Sequence, residues 1–122
     1  MTRYVVDGMN VIGARPDGWW RDRLGAARRL RDALAPASAG LPALPGPLTV
    51  VLVVEGRARQ LAGEPGPASV EVVAASGSGD DEIVSLVRAA TGPTTVVTAD
   101  RGLRERVEAL GAAVLGPRSL PY

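Results

Sequence analysis

Three short acidic motifs each follow, or closely follow, a run of apolar residues in this chain of 122 amino acids. They are Val5-Val6-Asp7-Gly8-Met9-Asn10, Ser78-Gly79-Asp80-Asp81-Glu82-Ile83 and Val96-Val97-Thr98-Ala99-Asp100. Carboxylates that are brought together raise one another's pKa values unless a cation neutralises them. Mg²⁺ and Mn²⁺ suit all-oxygen ligands, and such an ion can lower the pKa of water and orient it to attack a phosphodiester. The motifs therefore predict one divalent-metal site built from three distant parts of the chain.

The residue types that the chain lacks narrow the chemistry further. It has no Cys and no His, so thiol nucleophiles, disulfides, thiolate zinc sites and histidine-based triads are excluded. Catalysis is left to carboxylates, helped by Arg, Ser, Thr, Asn and a bound metal. The net charge is only +1, so the overall charge of the protein does not indicate which kind of partner it binds.

Length and hydropathy predict one domain spanning residues 1–122. The length is typical of a single domain, and aromatic residues are so few, at 3%, that Val, Leu, Ile and Ala must form the core. Asp7 interrupts the N-terminal apolar run far short of a signal peptide, and no stretch approaches the roughly 20 apolar residues of a membrane span. We therefore expect a cytoplasmic protein with no membrane partner.

Short Val-rich runs alternate with segments of helical periodicity. The runs are residues 4–6, 48–54, 70–74, 94–98 and 112–115, and their continuous apolar character predicts strands buried on both faces of a parallel sheet. Apolar residues recur every three or four positions within residues 24–34, 83–87 and 103–110, which predicts helices. Residues 56–63 leave room for only about two helical turns, and the Pro-rich residues 36–47 predict a surface connection. The pattern is typical of an α/β sandwich with right-handed crossovers.

This fold class predicts where the acidic motifs meet, because the carboxyl ends of parallel strands form one edge of the sheet, where ligands bind. Asp7 and Asp100 both stand where an apolar strand ends, and Gly8 lets the chain turn directly after Asp7. The alternatives are an Asx-turn at Asp7 and a helix cap at Asp100. Glu55 ends the second run, where it either extends the cluster or is a solvated strand end.

Asp80 and Asp81 open a predicted helix, whose N-terminus favours ionised carboxylates. They lie three residues before Ile83 and Val84, which should face the sheet, so both carboxylates are expected above the core-facing side. The position of Glu82 is less clearly defined. The alternative is that Asp80 caps the helix and its acidic neighbours are surface residues of the first turn.

In this order, the motifs resemble the NYN domain family, especially its small bacterial YacP-like branch within the PIN-like nuclease superfamily. The resemblance extends from Tyr4-Val5-Val6-Asp7-Gly8-Met9-Asn10-Val11-Ile12-Gly13 to Val114-Leu115-Gly116-Pro117-Arg118, and includes Asp80-x-x-Ile83 and Thr98-Ala99-Asp100-Arg101-Gly102-Leu103. Members of this family look like metal-dependent ribonucleases. The resemblance therefore implies RNA as substrate and a three-layer sandwich around a parallel sheet of about five strands, in the order 3-2-1-4-5.

The resemblance also implies roles for individual residues. It gives catalytic and metal-binding roles to Asp7, Asp80 and Asp100, with Asn10 and Asp81 supporting them. Besides the resemblance, we predict that Asp81 is a further metal ligand and that Glu55 and Thr98 are supporting residues. Two positions depart from the family pattern. Val54-Glu55-Gly56 replaces a frequent Phe-Asp-Gly, which keeps the charge but adds a methylene, and Ser78-Gly79 stands where the family has a basic residue.

A nuclease must also hold a polyanion, and one arginine-rich segment supplies positive charge beside two tryptophans. Its members are Arg15, Arg21, Arg23, Arg28, Arg29 and Arg31, with Trp19 and Trp20. Guanidinium groups contact phosphates, and tryptophan can stack on an unpaired base. The alternative is an amphipathic helix with its arginines outward and one tryptophan in the core. Arg57, Arg59, Arg101 and Arg104 are expected nearer the metal. The predicted RNA-binding set is Arg15, Arg21, Arg57, Arg101 and Trp19.

The function that the sequence favours is a Mg²⁺- or Mn²⁺-dependent endoribonuclease. One alternative is a catalytically weak RNA-binding or adaptor module with the same fold, and another is a metal-dependent phosphatase acting on a small ester. A nucleotide-binding switch is a poor candidate, because the chain has no Lys for a P-loop. The sequence leaves open the RNA target, delivery by a ribosome or other RNA-protein assembly, the number of metal ions and the oligomeric state.

Overall fold

A central sheet of five parallel strands organises the molecule, whose computed structural model describes residues 1–120 and 122. The strands are β1 (Thr2–Asp7), β2 (Leu48–Val54), β3 (Val70–Ala74), β4 (Thr94–Val97) and β5 (Ala113–Leu115). Their order is β3-β2-β1-β4-β5, and all neighbouring pairs are parallel. The predicted order 3-2-1-4-5 is therefore confirmed. Valine dominates these strands because its branched side chain packs well on a pleated surface.

Four α-helices flank the sheet: α1 (Gly8–Gly13), α2 (Arg23–Leu34), α3 (Gly79–Ala89) and α4 (Arg101–Glu108). Short 3₁₀ segments cover Trp19–Arg21, Ala35–Ala39, Gly56–Gly63 and Pro117–Ser119. The sequence predicted α2, α3 and α4 but not α1. Six residues are too few to display a helical period, so α1 leaves no pattern that could be recognised.

The alternation of side chains along each strand divides the core into two layers. Tyr4 and Val6 of β1 point into the layer that packs against α1 and α2. Val5, between them, points into the opposite layer, which packs against α3 and α4. Helices on both faces of one sheet give the predicted three-layer sandwich.

The segment from Pro36 to Pro47 is more ordered than the expected surface connection. It contains the 3₁₀ segment Ala35–Ala39 and an antiparallel pair between Gly40–Leu41 and Leu44–Pro45, and Ala37 is buried. Residues 56–63 also adopt the tighter 3₁₀ form, with Leu61 in the core. In the part of the chain that the structure describes, no helix has the length and apolar character needed to cross a membrane.

Gly8 allows the chain to turn from β1 into α1 beside the neighbouring strand. A Cβ atom added at Gly8 would lie 2.5 Å from the backbone carbonyl oxygen of Val53 in β2. We predict that Gly8→Ala lowers the free energy of unfolding by about 1–3 kcal/mol, because backbone must shift to relieve this overlap. Urea denaturation checks this, with Gly13→Ala as the control, since a Cβ there would meet only Trp19, at 3.8 Å. Equal stability of the two variants would contradict the prediction.

Candidate active site

The register of the sheet places Asp7 beside Thr98. Val6 of β1 pairs with Val97 of β4, so the next residues of the two strands are neighbours at the carboxyl edge. The Thr98 hydroxyl donates a hydrogen bond of 2.9 Å to Asp7 Oδ2. On the other side of β1, Asp7 pairs with Val53 of β2, which brings Glu55 to the same edge two residues later.

Asp7 is a buried carboxylate in an acidic environment. Its exposure is only 7%, and although it directly precedes α1, its side chain makes no capping hydrogen bond to that helix. Burial raises the pKa of Asp7 from 3.8 to about 6; the Thr98 hydrogen bond opposes this shift, and the charges of Asp80, Glu55 and Asp100 add to it. This environment differs from that of a carboxylate that only closes a turn, which was the alternative interpretation.

Thr98 connects the Asp7 carboxylate, at the end of β1, to the backbone of Asp100, in the segment after β4. The Thr98 Oγ1 atom donates to Asp7 and accepts the backbone N–H of Asp100 at 3.0 Å. Asn10, in α1, also contacts the loop after β4: its Oδ1 atom accepts the backbone N–H of Ala99 at 2.8 Å. The predicted supporting residues Asn10 and Thr98 are therefore brought to the site, where they hold the loop after β4 against the end of β1.

Asp100 combines the two roles that the sequence left open. Its Oδ1 atom accepts the Leu103 N–H at 3.0 Å, so it caps α4. Its charge also raises the pKa values of Asp7 and Asp80, so it lies in the same acidic group. The cap occupies Oδ1 and leaves Oδ2 available to a cation.

Asp80 and Asp81 are neighbours in the first turn of α3, but their side chains have different environments. Ser78 is the N-cap residue, with its hydroxyl oxygen accepting the Asp81 N–H at 3.2 Å, so the expectation that Asp80 caps this helix was wrong. Burial raises the pKa of Asp80, and the charges of Asp100 and Glu55 raise it further. The Asp81 side chain is exposed and accepts a hydrogen bond of 3.1 Å from Arg106 Nη2. The structure thus brings Asp80 into the group and leaves Asp81 at its exposed margin, where the charge of Asp81 still adds to the raised pKa of Asp80.

Glu55 is tied to the start of α3 rather than being a free strand end. Its Oε2 atom accepts the backbone N–H of Gly79, the first residue of that helix. A Cβ atom on Gly79 would lie 2.9 Å from the same Oε2 atom, so only glycine allows this approach without a shift. This bond joins β2 to the segment that carries Asp80, and the charge of Glu55 contributes to the raised pKa values of Asp7 and Asp80.

The donor set at this edge consists only of oxygen atoms. Within residues 1–120 and 122, no group of three or more Asp or Glu side chains already has the arrangement of a metal-binding cluster. Mg²⁺ retains several waters in its coordination shell, and carboxylate side chains can change rotamer when an ion binds, so a cluster that is already arranged is not required for binding. Burial, and in addition the repulsion between carboxylates, raises the pKa values of Asp7 and Asp80, and a nearby cation favours their ionised forms. The residue types therefore fit a hard divalent ion.

The hydroxyl of Thr98 is expected to be essential to this arrangement. Thr98→Val keeps the shape of the side chain but leaves the Asp100 N–H without its acceptor and Asp7 without its donor. The free energy of unfolding should therefore fall by about 1–3 kcal/mol. Thr98→Ser should restore most of the loss. Urea denaturation measures the effect, with Thr95→Val, a buried threonine of the preceding strand, as the control. Equal stability of Thr98→Val and wild type would show that these hydrogen bonds contribute little.

The predicted RNA-binding residues are distributed around this edge. Arg15 stacks over the Tyr122 ring at 4.5 Å from its centroid, and Arg21 lies 5.9 Å from that of Trp20. Arg57 and Arg101 are exposed, the first beside Glu55 and the second directly after Asp100.

Trp19, the tryptophan predicted to contact RNA, is only partly exposed and packs against the core. Trp20 is the more exposed of the two, at 54%. The sequence interpretation in which one tryptophan joins the core thus applies to Trp19. Trp20, which the predicted set left out, is the more exposed, and Trp19 lines a depression together with Arg23, Glu55 and Arg57.

The fold is similar to that of a protein of known structure. No protein-family model matches the chain, and no curated protein sequence matches it. Two crystal structures of Rae1 (YacP) from Bacillus subtilis are similar. One superposes with a TM-score of 0.79 at 22% identity, covering 98% of this chain and 71% of the other. The W164L mutant of the same protein superposes with a TM-score of 0.75 at 21% identity, covering 98% of this chain and 72% of the mutant's chain. The YacP-like, PIN-like fold implied by the sequence motifs is therefore confirmed.

Proposed function

We propose that this chain is a divalent-metal-dependent endoribonuclease that hydrolyses phosphodiester bonds of RNA. The observation that carries the proposal is the convergence of four carboxylates, from four separate segments, at the carboxyl edge of the sheet. Asp7 ends β1, Glu55 follows β2, Asp80 lies in the first turn of α3 and Asp100 precedes α4. Burial raises the pKa of Asp7, and the charges of the other three carboxylates add to this shift, which supports one shared site.

The proposed cofactor is Mg²⁺ or Mn²⁺, held by Asp7, Asp80 and Asp100. Asp7 has Oδ1 left after its hydrogen bond from Thr98, and Asp100 has Oδ2 left after capping α4. When bound, such an ion lowers the pKa of a coordinated water and offsets charge on the scissile phosphate. Asp81 is assigned no ligand role in this proposal, because its carboxylate pairs with Arg106.

The remaining residues position the carboxylates and the substrate. Thr98 and Asn10 fix the end of β1 relative to the loop after β4, and Glu55 fixes the start of α3. These hydrogen bonds reduce the freedom of the acidic side chains, so less entropy is lost when they bind a ligand. Arg57 and Arg101 are the proposed contacts to the phosphates of the RNA nearest the carboxylates.

Cleavage of a mixture of structured and single-stranded RNAs tests the proposal. We expect cleavage by the wild type with added Mg²⁺ or Mn²⁺, loss of cleavage in excess EDTA, and recovery when the metal is added back. Small phosphate esters should not be turned over in the same buffers. Cleavage that persists in EDTA would contradict metal dependence, and turnover of esters without RNA cleavage would favour a phosphatase.

An RNA-binding module without catalysis is the second candidate. It is favoured by the finding that, in the described part of the chain, no three acidic side chains are pre-arranged around a common metal position. In that case calorimetry would detect RNA binding but no heat of Mn²⁺ binding to the protein alone.

A further inference from the structure

A groove beside the acidic edge is lined by positive charge and by the exposed Trp20. Its volume is about 660 Å³, and its lining includes Trp20, Arg21, Asp22, Arg23 and Arg57. A smaller depression of about 210 Å³ also has Arg23 and Arg57 in its wall and extends to Glu55. Because the two share these arginines, they lie next to each other between Trp20 and Glu55.

The two tryptophans at this groove have different environments. Trp19 packs against the core, and its ring meets that of Trp20 edge to face, with centroids 6.0 Å apart and planes at 87°. This contact supports Trp20 from one side while the side chain stays 54% exposed. A single exposed apolar side chain is common and needs no function. The charged groups around Trp20 are what distinguish it from the exposed Met1 and Leu110.

The arginines of the groove are not neutralised by neighbouring carboxylates. Among the described residues, none of Arg21, Arg23 and Arg57 takes part in an ion pair within 4.0 Å. Asp22 is the one acidic residue among the described residues that line the larger groove, and its Oδ1 atom accepts the Gly25 N–H at 2.9 Å as the N-cap of α2. Arg21 lies over the Trp20 ring at 5.9 Å and Arg23 over the Trp19 ring at 5.6 Å, contacts that leave the positive charge of both uncompensated. The charge of all three guanidinium groups can therefore attract a polyanion.

We propose that this groove binds an unpaired nucleotide of the RNA substrate, with the base stacked on Trp20 and the adjoining phosphates on Arg21, Arg23 and Arg57. The inference rests on the proposed function, because RNA is taken as the ligand. Only an unpaired base exposes a face on which an aromatic ring can stack, so the groove selects single-stranded RNA. The continuation of the groove to Glu55 would lead the strand from this subsite to the acidic edge.

Binding of a short fluorescent single-stranded RNA tests the proposal, with every variant made in the Asp7→Asn background and in EDTA so that the RNA stays intact. Trp20→Ala should weaken binding roughly 5- to 100-fold without changing the salt dependence, because it removes stacking but no charge. Trp20→Phe should recover most of the affinity. Arg57→Ala should weaken binding and lower the slope of log affinity against log salt by about 0.7 for each phosphate that the protein no longer neutralises.

Two controls separate this subsite from general charge attraction. Arg88→Ala removes an exposed arginine from the last turn of α3, away from the groove, and should leave the affinity within about twofold. A base-free strand of the same length should bind equally to the Trp20→Ala protein and to its parent with Trp20 intact. An unchanged affinity in Trp20→Ala, or an equal loss for the base-free strand, would overturn the proposal.

The outcomes also separate this inference from the proposed function. Metal-dependent cleavage by the wild type, combined with binding that is indifferent to Trp20, would overturn the subsite alone. Binding that depends on Trp20, with no cleavage under any metal condition, would overturn the ribonuclease and leave the subsite standing.

Discussion

Asp7→Asn is expected to abolish RNA cleavage while making the protein more stable at neutral pH. The substitution keeps the shape of the side chain and an oxygen for the Thr98 hydroxyl, but it removes the charge that the proposed metal site requires. We expect cleavage to fall by about 1,000-fold, because loss of a metal ligand removes several kcal/mol of transition-state stabilisation. Initial rates of RNA cleavage at saturating Mg²⁺ measure this effect.

The gain in stability follows from the raised pKa of Asp7. The native state holds this proton more tightly than the unfolded chain, since the pKa is about 6 in the folded protein and 3.8 as the ordinary value. Wild type therefore loses stability as the pH rises from about 4 to about 6, and the full cost is present above that range. Asp7→Asn avoids this cost, so at pH 8 its free energy of unfolding should exceed that of wild type by about 1–3 kcal/mol.

The pH dependence of this difference provides the control. At pH 4, Asp7 is mostly neutral in the native protein, so the two proteins should unfold at nearly the same urea concentration. Added Mg²⁺ at pH 8 should stabilise the wild type, narrowing the gap, because a ligand that binds only the native state raises its stability. A variant that is less stable than wild type at pH 8 without metal would contradict the described environment of Asp7.

Two substitutions of Asp100 are expected to separate its cap from its charge. Asn caps helices about as well as Asp, so Asp100→Asn should retain the bond to the Leu103 N–H while losing the proposed ligand. Cleavage should fall roughly 100- to 1,000-fold with a change in stability of less than about 0.5 kcal/mol. Asp100→Ala should lose the same activity and, in addition, about 0.5–2 kcal/mol of stability.

Parallel cleavage assays and thermal denaturation check both Asp100 variants against wild type. The pair is matched, because each loses the charge and only the alanine loses the cap. If Asp100→Asn cleaved RNA at the wild-type rate, Asp100 would be a structural cap and the proposed metal site would have to exclude it.

Much of the site could be predicted because it depends on strand ends. Apolar runs mark where strands finish, and parallel topology brings their carboxyl ends to one edge, so the proximity of Asp7 and Asp100 follows from residue types alone. The position of Asp80 follows from helix phase, since the residues three and four positions later, Ile83 and Val84, are both buried.

Some positions could not be predicted, because a shift of one residue along a helix or the conformation of a short segment decides them. The residues three and four positions after Asp81 are Val84, which is buried, and Ser85, which is exposed. Asp81 therefore lies at the boundary of the buried helix face, and helical spacing alone does not decide where its side chain points. The exposures of Trp19 and Trp20 depend on a 3₁₀ segment of three residues that follows Gly18, whose φ is +78°. Three residues are too few to show a hydrophobic periodicity in the sequence. The link from Glu55 to Gly79 is a side-chain contact across 24 positions that no local pattern encodes.

A crystal of the wild-type protein soaked in Mn²⁺, with anomalous diffraction recorded at the manganese edge, tests the central claim most directly. We predict an anomalous peak at the carboxyl edge of the sheet, within coordination distance of oxygen atoms of Asp7, Asp80 and Asp100 and absent from Asp7→Asn crystals soaked in the same way. A map with no peak at this edge, and with the three carboxylates directed away from one another, would contradict a shared metal site.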